Sequence, residues 1–191
     1  ALYQNGEPIR PEQGYPLRLI IPGWEGSTHV KWLNKIKFRY GPAYTRNETS
    51  RYTDLLPNGK SRQYSFLMGL KSIITSPTFG DKVQIGNNLI TGLAWSGESL
   101  IKKVEVSLDG GFSWKKAQIS SKNQSVVRFN FDFKWDGNEV IVQSRCTDNK
   151  NKTQPSRKEV IENLGSNAYY HFNGITSWKI DKNGSVEHVY N

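Results

Sequence analysis

Few residues in the chain have the type and spacing that catalysis or metal binding requires. The three histidines, His29, His171 and His188, stand in unrelated local contexts, and none belongs to an H-x-x-x-H pair. No glycine-rich phosphate loop precedes a helix. The single cysteine, Cys146, ends an alternating segment, which is more typical of a structural thiol than of a nucleophile or metal ligand. The residues alone therefore predict neither a catalytic group nor a metal site.

Two cations could instead form a binding site for an anion. Arg18 lies in a short apolar run, and Lys31 follows a glycine-containing turn. The planar guanidinium of Arg meets phosphate oxygens with two hydrogen bonds, whereas Lys supplies a point charge. The alternatives are an exposed strand cation for Arg18 and, for the nearby His29, an ordinary surface or core histidine.

The net positive charge of the chain is compatible with a polyanionic partner, but the basic residues are not clustered as such a partner would require. The 26 Lys and Arg against 17 Asp and Glu give a net charge of +9, which suits nucleic acid, an acidic membrane surface or an anionic ligand. The basic residues are scattered, however, and the pairs at 102–103, 115–116 and 157–158 are isolated, as on solvated faces. We therefore expect no nucleic-acid partner, which would show itself by an affinity that falls linearly with the logarithm of salt concentration.

Length and composition set the remaining bounds. The 191 residues suffice for one domain, or for one compact domain plus part of another, and exclude a large multidomain enzyme. Hydrophobic residues (36%) and aromatic residues (12%) can fill a core and exclude disorder. No apolar run approaches the roughly 18 residues of a membrane span, and one cysteine allows no intrachain disulfide and no zinc finger. Residues 1–8 carry turn chemistry and no signal peptide, so we expect the chain to begin within a longer protein.

The elements that must position these residues are mostly short strands. After about Lys71, apolar alternation recurs every roughly 8 to 13 residues between Gly, Asn or Asp turns, a spacing typical of an immunoglobulin-like sandwich. The clearest hairpin turns at residues 109–111, and a second joins 176–180 to 186–190. The predicted strands are 83–85, 89–95, 101–108, 112–119, 126–134 and 139–148.

The N-terminal third has a different pattern. Residues 17–21 and 29–40 predict two strands, and residues 41–63 form a long polar excursion of a kind that usually covers something or reaches a neighbour. One helix is predicted at 156–164. Three tryptophans that fall one per strand are predicted to lie in the core rather than to form a ligand platform: Trp95, Trp114 and Trp135.

Several co-linear motifs carry a family resemblance. The N-terminal motifs are GYPLR at 14–18, PGWEG at 22–26 and HVKWL at 29–33, and the later ones are SIITSP at 72–77, GLAWSG at 92–97 and VEVSLDGGFSW at 104–114. Together they resemble the sulfite oxidase family of molybdenum enzymes, and the later motifs look like its C-terminal dimerisation domain. ETSRYTDLL at 48–56 and YHFNGITSW at 170–178 resemble the SoxC branch, the molybdenum subunit of sulfane dehydrogenase.

The resemblance implies a mainly β chain with two parts. Residues 1–70 would be the C-terminal edge of a molybdopterin-binding α+β domain, and residues 71–191 an immunoglobulin-like dimerisation sandwich. A preceding half would supply most of the pocket and the cysteine that binds molybdenum, because Cys146 aligns with a strand of the dimerisation domain. The positions that the resemblance assigns to the molybdenum-molybdopterin cofactor are Gln13 (His in animal enzymes), Arg18, His29, Val30 and Lys31.

The implied activity is oxidation of a sulfur substrate by oxygen-atom transfer at molybdenum, with electrons passed to a c-type cytochrome in the periplasm. Animal enzymes carry a substrate-binding arginine near the position of residues 163–166, and its absence here favours the SoxC branch over plain sulfite oxidation. We expect a homodimer through the sandwich, and an isolated chain that is catalytically inert. The alternative from another class is a non-catalytic periplasmic binding or assembly module, which a molybdopterin domain encoded upstream of Ala1 would exclude.

Overall fold

The structure is a computed structural model of the chain that describes residues 1–62, 66–120, 125–166 and 172–190. Within these ranges the fold is mainly β, as predicted, with a two-sheet sandwich formed from about residue 70 onward. None of the helices in the described ranges has the length and apolar character to cross a membrane. The division into domains at residue 70 stays a prediction.

The elements are numbered in chain order. The strands are β1 (Tyr3–Gln4), β2 (Glu7–Pro8), β3 (Asp54–Leu55), β4 (Ser61–Arg62), β5 (Lys71–Ser76), β6 (Gly86–Trp95), β7 (Ile101–Ser107), β8 (Lys115–Lys116), β9 (Gln118–Ile119), β10 (Val126–Trp135), β11 (Val140–Asp148), β12 (Ser177–Ile180) and β13 (Val186–Val189). The α-helices are α1 (Arg46–Ser50) and α2 (Arg157–Leu164), and short 3-10 helices cover Pro11–Gln13 and Gly26–Thr28.

Two antiparallel sheets form the sandwich. One has the strand order β5-β6-β10-β9, and the other has the order β13-β12-β11-β7-β8. Their inner faces alternate with outer faces along each strand, because successive side chains point to opposite sides of a sheet. Along β10, for example, Val127, Phe129 and Trp135 are buried while Arg128 and Asp132 are exposed.

The core lies between the sheets. It is built from inner-face residues of both, and burial of this apolar area is the main stabilising contribution to such a fold. Its fully buried members include Ile90, Ile101, Val104, Val106, Val127, Phe129, Val142, Cys146 and Ile180.

One strand predicted as continuous is divided between the two sheets. The strand predicted at residues 112–119 is observed as two short strands. The first, β8, pairs with β7, and the second, β9, pairs with β10. Buried Ala117 separates them and donates its amide hydrogen to the Val104 carbonyl at 2.9 Å. The chain therefore crosses from one sheet to the other at this edge.

The structure corrects several sequence predictions. Residues 17–21 and 29–40 do not form strands, because a strand needs a paired backbone. Residues 17–21 share two backbone hydrogen bonds with residues 30–33, and residues 34–43 make none to the backbone of the described chain. Residues 83–85 form no strand either. Of the three tryptophans, only Trp135 is a core residue: Trp95 lies on an outer face, and Trp114 packs against the guanidinium of Arg145 at 4.2 Å.

The predicted helix and hairpins are confirmed. Helix α2 begins after Ser156, whose hydroxyl accepts a hydrogen bond from the Glu159 amide at 3.2 Å, while Glu159 accepts from the Ser156 amide at 2.7 Å. This reciprocal capping box satisfies two of the amide groups that a helix start leaves unpaired. The hairpin of β12 and β13 turns through Asp181 and Gly184, and β7 pairs with β8 around Asp109.

Candidate cofactor site

Backbone hydrogen bonds hold the two segments with the predicted site residues side by side. The Leu19 amide donates to the Val30 carbonyl at 2.9 Å, and the Leu33 amide donates to the Leu17 carbonyl at 2.8 Å. Although this pairing is too short to count as a sheet, it places Arg18 in the segment adjacent to residues 30–33. The structure thus brings together residues that are more than ten positions apart in the sequence.

A tight turn before Arg18 shapes the other side of the site. The 3-10 helix Pro11–Gln13 ends at Gly14, whose φ of 112° is in the region that favours glycine. A Cβ atom on Gly14 would lie 3.1 Å from the Cα and Cβ atoms of Lys31, so the turn packs closely against Lys31. The Gln13 side chain is used locally, because its Oε1 accepts a hydrogen bond from the Arg10 amide at 2.9 Å.

The Arg18 guanidinium is only partly satisfied. One Nη group donates to the Gln13 carbonyl at 3.2 Å, while the Nε group is buried and has no acceptor in the part of the chain that the structure describes. A buried donor without a partner costs about 1–3 kcal/mol. An anionic acceptor at this position would remove that cost, so the residues present fit a group that carries phosphate.

Lys31 adds a second positive charge next to Arg18. Its Nζ atom donates to the Glu12 carbonyl at 2.5 Å, and neither Lys31 nor Arg18 forms an ion pair with a described acidic side chain. The carbonyl orients the ammonium without neutralising it. Trp32 closes this side by donating its indole hydrogen to the Pro11 carbonyl at 3.0 Å.

His29 and Val30 complete the predicted set. The Nε2 atom of His29 lies 2.9 Å from the Ile21 carbonyl oxygen, and because a carbonyl can only accept, Nε2 carries the hydrogen. In neutral His29 the Nδ1 atom is therefore an acceptor for a ligand N–H group. The Val30 side chain is 45% exposed and presents an apolar surface beside it.

Close backbone contacts fix this N-terminal segment to the sandwich. The Met68 amide donates to the Gly23 carbonyl at 2.9 Å, and the Gly97 amide donates to the Met68 carbonyl at 3.0 Å. A Cβ atom on Gly23 would lie 2.6 Å from the Gly97 carbonyl oxygen, so this approach requires glycine. The stacked rings of Trp24 and Phe66, with centroids 4.8 Å apart, pack beside it.

Lys71 anchors the start of the described C-terminal segment and was missed by the sequence analysis. Its Nζ atom donates to the Phe172 carbonyl at 2.9 Å, and Asn173 Nδ2 donates to the Leu70 carbonyl at 3.2 Å. Burial lowers the pKa of Lys71. The first part of the YHFNGITSW motif, including His171, lies outside the described residues. The sequence pattern does not connect this motif with Lys71, because the two are 101 residues apart in the chain.

Cys146 belongs to the core of the sandwich and not to the segment that carries these residues. It lies on the inner face of β11 with no exposed surface, and burial raises the pKa of its thiol to about 12. A metal ligand must be the thiolate, which this environment disfavours. Within the described ranges, no three His, Cys, Asp or Glu side chains are grouped as metal ligands would be.

The segment before the sandwich leaves many apolar side chains uncovered. Before Leu70, Ile9 is the single buried hydrophobic residue among those that the structure describes. The exposed members with the largest fractions are Phe38 (96%), Tyr40 (110%), Tyr44 (68%), Leu55 (65%), Tyr3 (64%), Ile36 (60%) and Trp32 (59%).

Two family models match the chain. Residues 1–46 match the oxidoreductase molybdopterin binding domain, and residues 62–177 match the Mo-co oxidoreductase dimerisation domain. The second match covers more than half of the chain. The chain therefore belongs to the Mo-co oxidoreductase family and contains the dimerisation domain of that family.

Individual relatives refine this assignment. The chain is 42% identical to a chain of the sulfane dehydrogenase SoxCD from Paracoccus pantotrophus, with a TM-score of 0.93. The structural alignment covers 98% of this chain and 49% of that chain. It is 32% identical over 132 residues to human mitochondrial sulfite oxidase (65% of this chain, 24% of the relative). It is 33% identical over 134 residues to an inducible nitrate reductase of Glycine max (60% of this chain, 15% of the relative).

These similarities confirm the predicted resemblance to the sulfite oxidase family and to its SoxC branch. They also confirm the expected fold class, a mainly β chain with an immunoglobulin-like sandwich. The chain spans about a quarter of the length of the rat and human sulfite oxidases that it matches.

Proposed function

We propose that the chain is the C-terminal portion of a molybdopterin-dependent oxidoreductase of sulfur compounds, in which it supplies part of the cofactor pocket and the dimerisation domain. The observation that carries this proposal is the buried, unpartnered Nε of Arg18 beside Lys31, within the segment that matches the molybdopterin binding domain. That match also favours the enzyme over a non-catalytic binding or assembly module.

The chain's own residues would hold the cofactor by its anionic end. Arg18 would donate from Nε to a phosphate oxygen, and Lys31 would add its charge. His29 would accept a hydrogen bond at Nδ1, Val30 would provide an apolar contact, and Gln13 would keep the turn in place. When bound, the molybdenum cofactor supplies the oxygen-transfer and redox chemistry, and the protein supplies position and field.

A sulfur compound is the proposed substrate because the similarity to sulfane dehydrogenase extends over nearly the whole chain. The match to nitrate reductase is shorter and lower in identity. The absence of an arginine at residues 163–166 favours a sulfane over free sulfite. We further propose a c-type cytochrome as electron acceptor, a periplasmic location and a homodimer, which follow from the family resemblance.

The test uses the protein extended upstream as its gene encodes it, with molybdenum and pterin content measured after purification. Arg18→Ala should lower the cofactor occupancy while the thermal unfolding temperature stays unchanged, because losing a charge-assisted hydrogen bond weakens binding by about 1.5–3 kcal/mol. Arg18→Lys should give an intermediate occupancy, since it keeps the charge but not the planar fork.

Lys182→Ala is the matched control, because it removes an exposed charge in the β12–β13 turn, far along the chain from the site. Full occupancy in Arg18→Ala would refute the role of Arg18. The unsubstituted extended protein should also reduce cytochrome c with a sulfane donor, whereas residues 1–191 alone should carry no stoichiometric molybdenum and should not do so. Stoichiometric molybdenum in the short chain, lost in Cys146→Ser, would refute the proposal as a whole.

A further inference from the structure

A cavity of about 650 Å³ lies between the segment before the sandwich and the sandwich itself. One wall is apolar: the rings of Trp24 and Phe66 stack with centroids 4.8 Å apart, and Phe66 and Leu67 each remain 41% exposed. A cleft of this size that combines an apolar wall with a few polar groups is typical of a ligand site. The charged side chains that line this cavity, the junction cavity, are Arg62, Glu98, Asp148 and Lys152.

The carboxylate of Asp148 has hydrogen-bond donors for one oxygen atom and not for the other. Asp148 is 1% exposed, and its Oδ1 atom accepts from the backbone amides of Lys150 and Lys152 at 2.9 Å and 3.0 Å. Its Oδ2 atom is buried and has no donor in the part of the chain that the structure describes. An ionised carboxylate only accepts hydrogen bonds, and a buried acceptor without a donor is unfavourable. The turn at residues 148–152 therefore holds one oxygen in place and leaves the other for an external donor.

The other charges of the junction cavity do not serve as that donor. The Nζ atom of Lys152 donates to the Glu98 carboxylate at 2.7 Å, and the Nζ atom of Lys150 donates to it at 3.4 Å. These two hydrogen bonds, the one from Lys152 first, lower the pKa of Glu98, so it stays ionised beside both lysines. Arg62 is exposed, so solvent and salt screen its charge. The unmet requirement at the cavity is thus a donor for Oδ2 of Asp148.

We propose that the junction cavity binds an organic cation with an apolar body, an alkylammonium or alkylguanidinium group, whose N–H donates to Oδ2 of Asp148. A hydrogen bond between a charged donor and a carboxylate is shorter and stronger than a neutral one. The rings of Trp24 and Phe66 suit the rest of such a ligand, because aromatic faces attract cations and cover alkyl groups. An anion gains nothing from Oδ2, and an apolar molecule leaves it without a donor.

A metal ion fits the junction cavity less well than an organic cation does. Calcium takes six to eight oxygen ligands, and magnesium requires a near-ideal octahedron. Within the described residues, no three His, Cys, Asp or Glu side chains are grouped as metal ligands would be. The carboxylate of Glu98 is in addition already occupied by two lysines. One buried oxygen and an aromatic wall are the recognition groups of an amine and not of a metal.

Isothermal titration calorimetry with n-hexylammonium as the probe tests the site, both in the protein extended upstream and in the 191-residue chain. Hexanol has the same apolar body without the charge, so it should bind at least about 10-fold more weakly. Binding of the probe to both proteins identifies the ligand as a free amine. Binding to the 191-residue chain alone identifies it as a basic side chain of the upstream segment, which then occupies the cavity.

Two variants separate the contributions of the carboxylate and the ring. Asp148→Asn keeps an acceptor for the amides of Lys150 and Lys152 but places an NH₂ donor at the position of Oδ2, so it should bind n-hexylammonium at least about 10-fold more weakly. Phe66→Leu keeps an apolar wall without the ring face, so it should weaken binding of the cation more than binding of hexanol.

Asp136→Asn is the matched control, because Asp136 also accepts from a backbone amide in its own turn, that of Asn138 at 3.0 Å, but is exposed and does not line the cavity. Thermal unfolding checks that each variant is folded, and the comparison with hexanol decides the question even if Asp148→Asn is not. Equal affinities for n-hexylammonium and hexanol, undiminished binding in Asp148→Asn, or no binding to either protein at millimolar concentration would each overturn the inference. It uses neither Arg18 nor Lys31, so it goes beyond the proposed function and is measured independently of molybdenum content.

Discussion

Gly92 on β6 faces the core, and replacing it with alanine should destabilise the sandwich strongly. A Cβ atom at this position would lie 2.2 Å from the Ile73 carbonyl oxygen and 2.2 Å from Cζ of Phe129. Phe129 is 1% exposed and packs within the core, and Ile73 is held by its strand. Both neighbours must therefore shift.

The magnitude follows from two opposing effects. Overpacking a core costs about 1–3 kcal/mol and occasionally more, whereas Gly→Ala lowers the entropy of the unfolded chain and returns about 0.4–1 kcal/mol. We expect Gly92→Ala to lower the free energy of unfolding by about 2 kcal/mol or more. Gly26→Ala is the matched control, because a Cβ atom on Gly26 would have nothing within 4 Å and the φ of Gly26 is not left-handed, so its effect should stay within about 0.5 kcal/mol.

Urea denaturation of the full chain, followed by tryptophan fluorescence, measures both variants. In the Phe129→Leu background the cost of Gly92→Ala should fall by about 1 kcal/mol, because the ring contact is gone while the Ile73 contact remains. Equal stabilities of the Gly92 and Gly26 variants, or a double variant without coupling, would show that the core relaxes freely and that the reasoning is wrong.

Three further outcomes are expected. Ser156→Ala should lower the free energy of unfolding by about 1 kcal/mol in thermal denaturation, because helix α2 loses its cap. Cys146 should resist a thiol reagent at pH 8 in the native chain and react after unfolding, since burial raises its pKa to about 12; rapid native labelling would contradict this. Hydrogen bonds from Ser107 and Ser113 lower the pKa of Asp109, so the stability difference between the wild type and Asp109→Asn should be constant above about pH 4 and disappear as pH falls through the lowered value.

The alternation of apolar and polar residues predicted the strands of the sandwich well, but it failed for a segment that has no neighbouring strand to pair with. In β10, residues such as Val127 and Phe129 alternate with charged residues, and both sides of the strand are paired. Ile36, Phe38 and Tyr40 alternate equally well, yet they remain exposed without a ladder. Periodicity describes which side chains share a face, whereas a sheet also requires a second backbone at hydrogen-bonding distance.

The tryptophans show a related limit. Trp135 and Trp95 each end a long strand, but Trp135 is in phase with the inner face and Trp95 with the outer face. The residue type alone does not show which face of the sheet a tryptophan occupies. Trp114 lies outside the strands and packs against Arg145 instead.

The candidate cofactor site was predictable as a set of residues and not as an arrangement. The family motifs pointed to Arg18 and Lys31, whose roles stay predictions. The packing of Gly14 against Lys31 and the unpartnered Nε of Arg18 depend on how separate turns meet.

The passage of the chain from β8 to β9 through Ala117 has a mechanical consequence. Residues 115–119 are hydrogen-bonded first to one sheet and then to the other. This segment therefore connects the two sheets and opposes sliding of one sheet over the other. Sliding of one sheet over the other would have to break these hydrogen bonds. Amide hydrogens of β7 and β10 should therefore exchange with solvent as one cooperative unit, and a load applied to one face of the domain would pass directly to the opposite face.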